Sequence, residues 1–197
     1  MRDYGIKAKM ARRFKKHSHK HHLIYSPNLL LKREPVAAPN EVWVCDVTFI
    51  RVGKNWNYLC TIMDLYTRKI IGWHFDKSIG ADLAKEALLM ALEDYRPQPG
   101  AILHTDQGVE FCNKVFRSEL ESAGLLVSKS RKGCGWDNAN MESFYHTLKT
   151  EMVYFHQFAD LVEAMAHIMD YIRFYNGERL HSGLNYQTPE EIELLAA

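Results

Sequence analysis

The body of the chain begins with three runs of β-branched and aromatic residues that follow one another closely. They span residues 41–52, 56–66 and 69–75, and a turn at 53–55 that contains glycine separates the first two. Closely spaced runs of this kind, joined by a short polar turn, are typical of an antiparallel hairpin that extends into a meander. The pattern therefore predicts three antiparallel strands.

Beyond residue 80 the apolar positions change to helical spacing and then alternate between helices and short strands. The pattern predicts a helix, a buried strand, a second helix and another central strand, over residues 81–95, 101–105, 113–123 and 125–128. Strands that alternate with helices pair in parallel through right-handed crossovers. The expected fold class is α/β: a mixed five-stranded sheet, with three antiparallel strands followed by parallel strands, flanked by helices.

A third helix is predicted to begin near Asp137, which is well suited to cap it. Its apolar residues recur every three or four positions and form a stripe able to pack on the sheet: Met141, Phe144, Tyr145, Leu148, Met152 and Phe155. Glu142, His146 and Lys149 share the adjoining face. An amphipathic helix over 161–175 and a short terminal one follow; packing on the core is their expected role, and self-association is the alternative.

Length and composition restrict the class of protein. The chain has 197 residues, enough for one globular core with a short appendage. Apolar residues never run for the ~18 to 20 positions of a membrane span, and the basic N-terminus lacks the apolar stretch of a signal peptide. The four cysteines are too far apart for paired zinc ligands or a small disulfide scaffold. A cytoplasmic protein with no membrane partner is expected.

Charge is divided unevenly along the chain. Residues 1–34 carry a net charge of +8 and the remainder −7, although the whole chain is only +1. Residues 1–40 lack sustained apolar periodicity and are predicted to form a basic N-terminal arm or linker, which leaves 41–197 as the core. A basic arm on an acidic body fits a polyanion partner, and a solvated tail is the alternative.

Three carboxylates lie at positions where a sheet delivers reactive side chains. Asp46 lies within the first strand, where a charge is costly unless it is paired or bound to metal. Asp106 directly follows the buried strand, and Glu142 lies near the start of the third helix. Two aspartates and a glutamate from three elements are the oxygen ligands that Mg²⁺ prefers. Each carboxylate taken singly is more often solvated or helix-capping.

Several motifs around these carboxylates resemble the insertion-sequence transposases with a retroviral-integrase-like core. The likeness is to the third insertion-sequence family, whose catalytic part is encoded by the second of two reading frames. The matching stretches are 43–49, 63–69, 104–108, 135–144, 148–151 and 175–189, and the likeness covers roughly residues 1 to 195. Thirty-five residues separate Asp106 from Glu142, the spacing typical of that family and of retroviral integrases.

The resemblance implies an RNase H-like fold and a DDE transposase, which is a polynucleotidyl transferase. Asp46, Asp106 and Glu142 are carried over as the catalytic residues and as the ligands of two Mg²⁺ ions, for which Mn²⁺ can substitute. The family reaction is metal-dependent DNA strand cleavage followed by strand transfer, during DNA transposition and integration. The expected partners are DNA, as element ends and target, and further copies of the chain in a homo-oligomer on that DNA.

Further residue roles follow from the same resemblance. Lys149 matches the basic residue that the family places near the scissile DNA end, and Asn138 is expected to order the site or contact DNA. His104 and His146 are candidates to face the site, each with packing as its alternative role, whereas Asp64 is expected to be structural. The residues of the basic arm expected to bind DNA are Arg12, Arg13, Lys15 and Lys16.

Two alternatives to a catalytic core stay open. Full-length members of the family carry helix-turn-helix segments upstream, so the chain is expected to be N-terminally truncated. The first alternative is a truncated non-catalytic DNA-binding remnant that regulates the full-length transposase, and the second is a nuclease acting on RNA–DNA hybrids. The intact triad weighs against the remnant, and the 35-residue spacing with its asparagine-rich turn favours a transposase over the nuclease.

Overall fold

The computed structural model describes residues 26–108, 111, 113–131 and 133–196. One mixed sheet contains five strands: β1 (Val42–Val52), β2 (Asn55–Asp64), β3 (Ile70–Asp76), β4 (Ile102–Thr105) and β5 (Leu126–Lys129). The order across the sheet is β3-β2-β1-β4-β5. β1, β2 and β3 are antiparallel, whereas β4 pairs in parallel with β1 and β5 in parallel with β4. The mixed five-stranded sheet predicted from the sequence is confirmed.

Helices cover both faces of this sheet. They are α1 (Ala81–Asp94), α2 (Lys114–Ser122), α3 (Ala139–Glu151), α4 (Leu161–Gly177) and α5 (Pro189–Ala196). α1 and α2 share one apolar core with the sheet, and α3 and α4 share the other. Because side chains alternate along a strand, β1 supplies Trp43 and Cys45 to the first core and Val44 and Ile50 to the second. Within the described residues, no helix is both long and apolar enough to cross a bilayer.

Two local predictions are wrong. The run 125–128 was expected to form a central strand, but β5 lies at the edge of the sheet. Its position follows from the crossovers, which place β4 beside β1 and leave β5 outside it. Phe155 was expected to continue the apolar stripe, but α3 ends at Glu151 and a 3₁₀ turn leaves the Phe155 side chain 77% exposed.

The described part of the predicted arm, residues 26–40, contacts the core. Its short 3₁₀ helix (Leu29–Lys32) lies against β5, where the backbone N–H of Lys129 donates to the carbonyl of Pro27 at 3.2 Å. Arg33 forms an ion pair with Glu41 at 2.8 Å. This segment therefore covers part of the free edge of β5. The arm residues Arg12, Arg13, Lys15 and Lys16 lie outside the described residues, and the boundary at residue 40 stays a prediction.

Gly72 on β3 determines how closely α1 approaches the sheet. A Cβ at this position would lie 2.3 Å from the carbonyl oxygen of Ala87 and 2.9 Å from the Cβ of Ala91. Both alanines are fully buried. The backbones of β3 and α1 are thus in direct contact here, with no room for a methyl group between them.

Replacing Gly72 with alanine is expected to lower the free energy of unfolding by about 1–3 kcal/mol, because the added methyl group must push α1 away from β3. Chemical denaturation measures this loss. Gly80→Ala is the matched control, since a Cβ there meets no atom within 4 Å and the backbone is extended. Equal destabilisation of the two variants would contradict close packing at Gly72.

Candidate functional site

The parallel pairing of β1 with β4 brings two of the predicted carboxylates to one edge of the sheet. Its last residue pair is Cys45 with Thr105, so Asp46 and Asp106 come next on neighbouring strands. Beyond this pair β1 continues alongside β2, while the chain leaves β4 at Asp106. The carboxyl ends of parallel strands are where open α/β sheets place their binding crevices.

Helix α3 brings the third carboxylate to the same place. Asp46, Asp106 and Glu142 all line one cleft of about 370 Å³. The remaining wall comes from the segment after β4 and from the loop between β5 and α3, through Gln107, Gly108, Ser130, Arg131, Gly133, Cys134 and Asn138. The structure therefore brings together the three carboxylates and Asn138, as the sequence predicted. Sequence reasoning missed the loop residues directly after β5, because no motif marks them.

Each of the two aspartates accepts a hydrogen bond from a nearby backbone N–H. Oδ1 of Asp46 accepts a hydrogen bond from the N–H of Val47 at 2.8 Å, and Oδ1 of Asp106 accepts one from the N–H of Gly108 at 2.7 Å. Burial raises the pKa of Asp106, and the Gly108 hydrogen bond and the charge of Lys129 oppose that rise. A cation bound at Asp106 would favour the ionised carboxylate further.

Tyr145 connects α3 directly to the strand that carries Asp46. Its hydroxyl donates to the backbone carbonyl of Asp46 and accepts a hydrogen bond from the hydroxyl of Thr61 at 2.8 Å. Burial and the nearby charge of Asp46 raise the pKa of Tyr145, so the phenol keeps its proton. Sequence reasoning placed Tyr145 in an apolar stripe and missed its hydrogen bond to β1. A buried tyrosine hydroxyl usually has a hydrogen-bond partner, and this rule could have indicated the link. This link sets the position of Glu142, three residues away.

The donor set fits a hard divalent cation, although the side chains do not yet converge. In the part of the chain that the structure describes, no group of three His, Cys, Asp or Glu side chains is gathered closely enough to hold a metal ion. The three carboxylates share the cleft, and two of them turn an oxygen towards a backbone N–H. Oxygen donors of this kind suit Mg²⁺, and ligation would require rotation of the side chains.

Asn138 presents a buried amide at the wall of the cleft. Its side chain is 6% exposed, and both Oδ1 and Nδ2 lack a hydrogen-bond partner among the described residues. Leaving such a group unsatisfied costs about 1–3 kcal/mol. Asn138 also stands at the N-cap of α3 without making a side-chain capping bond. Its amide is therefore available to a ligand in the cleft.

Asp137 does not cap α3, and that prediction is wrong. Oδ2 of Asp137 accepts hydrogen bonds from the backbone N–H of Arg131 at 2.9 Å and from Nδ2 of Asn28 at 2.9 Å. Oδ1 accepts from Nη2 of Arg131 at 2.9 Å. The Arg131 guanidinium holds the pKa of the Asp137 carboxyl well below its usual range. Asp137 thus closes the loop that lines the cleft and attaches it to the N-terminal segment.

Lys149 lies beside the cleft rather than in its wall. Its ammonium is 4.8 Å from the centroid of the Phe49 ring, which in turn contacts Trp56 edge-on at 5.2 Å. Burial lowers the pKa of Lys149, and the negative charge of Asp46 opposes that fall. The two rings are 39% and 50% exposed, respectively. Sequence reasoning identified the lysine but assigned no role to these rings.

The two candidate histidines and Asp64 do not line the cleft. His146 is exposed on α3. His104 is fully buried between the hydroxyls of Ser128 and Ser130, at 2.8 Å from Nδ1 and 3.0 Å from Nε2. Asp64 accepts hydrogen bonds from the backbone N–H groups of three residues, a structural role as expected: Asn40, Tyr66 and Thr67.

Comparison of the sequence with known proteins identifies the class and then the family. Two models, both described as "Integrase core domain", match residues 36–134 and 124–189. The chain is 39% identical over 191 residues to "Transposase for insertion sequence element IS904" of Lactococcus lactis, covering 96% of this chain and 76% of that protein. It is 36% identical over 195 residues to "Transposase InsF for insertion sequence IS3A" of Escherichia coli, covering 98% and 68%. The chain belongs to the IS3 family of insertion-sequence transposases.

Solved structures show the same fold at low sequence identity. A chain of the simian T-cell lymphotropic virus intasome in complex with PP2A regulatory subunit B56 gamma superposes with a TM-score of 0.70 at 15% identity, over 88% of this chain and 59% of that chain. The HTLV-2 integrase catalytic core domain in complex with magnesium (trimeric form) gives 0.63 at 17% identity, over 79% and 97%. The predicted RNase H-like, integrase-type fold is confirmed.

The burial of His104 gives the folded chain a defined pH dependence. Burial lowers the pKa of His104 to about 4, below the ~6.5 of an unfolded chain. Protonation therefore favours the unfolded state. The stability that depends on neutral His104 is complete above about pH 6.5 and is lost as the pH falls through about 4, with a full magnitude of about 3 kcal/mol.

The free energy of unfolding, measured in a chelator by chemical denaturation, is expected to fall from pH 6.5 to 4 more steeply in the unchanged chain than in His104→Gln. The glutamine cannot take up the proton that drives unfolding. His146→Gln, at an exposed position on α3, should keep the slope of the unchanged chain. Equal slopes in all three proteins would mean that His104 is already protonated in the folded state.

Proposed function

We propose that this chain is the catalytic core of a DDE transposase that cleaves DNA at an element end and joins the freed 3′-hydroxyl to a second DNA strand. One observation carries the proposal: Asp46, Asp106 and Glu142, from three separate elements, line a single cleft in a member of this family. Asp46 follows the last β1 residue that pairs with β4, Asp106 directly follows β4, and Glu142 lies near the start of α3. These positions support the roles of catalytic residues.

The same three carboxylates are proposed to hold Mg²⁺, as two ions, with Mn²⁺ as a substitute. The HTLV-2 integrase catalytic core domain, which shares this fold, has been solved in complex with magnesium. When bound, the metal supplies Lewis-acid polarisation of the phosphate and lowers the pKa of the attacking water or 3′-hydroxyl. Asp46, Asp106 and Glu142 must be ionised to act as ligands, and the hydrogen bond from Gly108 to Asp106 favours that state.

The proposed reaction conserves phosphodiester bonds once the first strand is cut. Hydrolysis breaks a P–O3′ bond at the element end and leaves a 3′-hydroxyl there and a 5′-phosphate on the flanking strand. In strand transfer the 3′ oxygen forms a new bond to a target phosphorus while the target's own P–O3′ bond breaks, and the proton of the attacking hydroxyl passes to the leaving oxygen through solvent. The protein forms no covalent bond to DNA. Its contribution is to position the reacting DNA strands and to stabilise the charge that develops on the phosphate.

Other residues are proposed to hold DNA around the cleft. The amide of Asn138, which lacks a partner among the described residues, would hydrogen-bond a nucleotide in the cleft. The ammonium of Lys149, which senses the charge of Asp46, would neutralise a phosphate near the scissile bond. The arm, residues 1–40, would add phosphate contacts through Arg12, Arg13, Lys15 and Lys16, and the core, 41–197, would carry the chemistry.

A homo-oligomer on DNA is proposed as the working form. The structural relatives are named as an intasome and as trimeric and dimeric forms of an integrase core. Bringing two element ends and a target together requires more than one DNA-binding surface, which further copies of this chain would provide.

Glu142→Gln is expected to lower metal-dependent strand transfer by about two orders of magnitude or more, because a neutral amide is a poor ligand for the metal that activates the reaction. The assay joins a labelled oligonucleotide ending in a 3′-hydroxyl to a second duplex with Mg²⁺ or Mn²⁺ present. Glu93→Gln, the same substitution at an exposed position in the last turn of α1, is the matched control and should retain joining.

Two results would contradict the assignment. If Glu142→Gln joins DNA as well as Glu93→Gln does, Glu142 is not a catalytic residue. An unchanged chain that binds DNA in a salt-sensitive manner but never joins it would favour the regulatory remnant instead of a catalytic core.

Lys149→Ala is expected to weaken DNA binding and to reduce the slope of log affinity against log salt concentration by about 0.9, the value for one lost phosphate contact on duplex DNA. Fluorescence anisotropy over a series of salt concentrations measures both. Lys85→Ala on α1, on the opposite face of the sheet, is the control. A slope that is the same for both variants would make Lys149 a surface lysine.

A further inference from the structure

A second cavity lies on the other flank of α3. It measures about 270 Å³ and is lined on its α3 side by Asn140, Ser143 and Thr147. These residues recur at three- and four-residue spacing, so they share one face of the helix. The buried stripe of α3 separates that face from Glu142, which points into the carboxylate cleft. The first two turns of α3 therefore contribute to both cavities.

The charge in this second cavity is positive. Arg68 and Arg179 line it, and no carboxylate does so among the described residues. His181 also lines it, and burial lowers the pKa of that histidine, so the arginines supply the charge. Guanidinium groups together with hydroxyl and amide side chains form a donor set that suits a phosphate group.

Arg68 is half-buried, and one nitrogen of its guanidinium has no acceptor in the described part of the chain. Its Nη1 is buried and has no hydrogen-bond partner among the described residues. Burial lowers the pKa of Arg68, and the charge of the nearby Asp64 opposes that fall. The Asp64 carboxylate already accepts hydrogen bonds from the backbone of Asn40 and Thr67. Because a guanidinium keeps its charge, an anion in the cavity would provide the acceptor that it lacks.

Arg179 also lines the cavity, and part of its guanidinium is already paired with Glu151. Its Nε and Nη2 contact the carboxylate of Glu151 at 3.0 and 2.8 Å. Nη1 makes only long contacts, 3.5 Å to the carbonyl of Leu180 and 3.4 Å to Nδ1 of His181. The Glu151 ion pair thus fixes the side chain and leaves Nη1 able to donate to a ligand.

We propose that this cavity binds a backbone phosphate of the DNA strand whose scissile phosphate lies in the carboxylate cleft. The inference rests on the proposed function. An α-helix with its side chains is about 10–12 Å across, which corresponds to about three nucleotides along a strand. A strand that crosses the N-terminal half of α3 would therefore bring a neighbouring phosphate to Arg68.

The shape of the region favours a polymer over a free anion. Arg68 and Asn140 also line an adjoining cavity of about 500 Å³, which extends to Arg33 and Glu34. Together the two cavities have more volume than a single phosphate requires, and the second extends from Arg68 and Asn140 towards the N-terminal segment at Arg33. A DNA backbone fits that extension, with one phosphate held by Arg68 and Arg179.

The test measures DNA binding in a chelator, so that no cleavage takes place. Arg68→Gln is expected to weaken DNA binding about tenfold and to reduce the salt slope by about 0.9, because one phosphate contact is lost. Ser143→Glu, which adds a negative charge at an exposed position on the cavity wall, is expected to weaken binding similarly. Ser118→Glu, at an exposed position on α2 on the opposite face of the sheet, is the matched control and should bind as the unchanged chain does.

A second measurement distinguishes DNA from free phosphate. Inorganic phosphate, compared with chloride at equal ionic strength, is expected to raise the melting temperature of the unchanged chain and not that of Arg68→Gln. If the variant loses this shift yet binds DNA with an unchanged slope, the cavity takes a free anion and the DNA proposal is overturned. If Arg68→Gln fails to fold, Ser143→Glu against Ser118→Glu decides: a selective loss of DNA binding supports the proposal, and equal binding overturns it.

Failure of the proposed function would give a different result. An unchanged chain that does not join DNA with metal present, yet shows the Arg68-dependent change in salt slope, would retain the phosphate cavity and lose the catalytic assignment. If the unchanged chain joins DNA but neither Arg68→Gln nor Ser143→Glu affects DNA binding, the catalytic assignment is retained and the phosphate cavity is overturned.

Discussion

The parallel pairing of β1 with β4 is the constraint on which the rest of the molecule depends. It runs from Val42 opposite Ile102 to Cys45 opposite Thr105, and it ends where both strands reach their acidic residues. β2 pairs with the whole length of β1 on its other side, so Asp46 is held by a sheet ladder on that side and not by a loop. Backbone hydrogen bonds thus fix the separation of the two aspartate backbones, and ligation would require the side chains to turn towards a shared ion.

The packing of helix α3 against the core determines the geometry of the cleft. Met141, Phe144 and Leu148 are buried against the sheet, and Tyr145 bonds to the backbone of Asp46. Because these contacts fix the rotation of the helix about its axis, they determine which residues face each flank. Glu142 faces the carboxylates and Asn140 faces the basic cavity as consequences of the same packing.

Two side chains have buried polar atoms that lack hydrogen-bond partners among the described residues, and both border cavities next to α3. Asn138 lies at the carboxylate cleft and Arg68 at the basic cavity. Buried polar groups are nearly always satisfied in folded proteins, so an exception requires an explanation. The two groups offer hydrogen-bond donors on the two flanks of α3, which the proposed DNA strand would link by crossing the helix. A ligand with acceptors for Nδ2 of Asn138 and Nη1 of Arg68, and with a donor for Oδ1 of Asn138, would account for both exceptions.

The sequence alone determined which residues face the core and which carboxylates belong together. Runs of β-branched and aromatic residues predicted the strands, and the helical period predicted α3. The acidic cleft was predicted by the family resemblance, which rests on motifs such as the 35-residue interval between Asp106 and Glu142. The tertiary structure decided the edge position of β5, the pairing of Asp137 with Arg131 and the meeting of Arg68 with Arg179. A hydrophobic period shows which face of an element is buried, but not which distant segment covers it or which side chains meet there. Those outcomes depend on how crossovers and packed helices bring separate parts of the chain together. The motif stretches 63–69 and 175–189 contain Arg68 and Arg179, but a motif does not show that two distant arginines meet in one cavity.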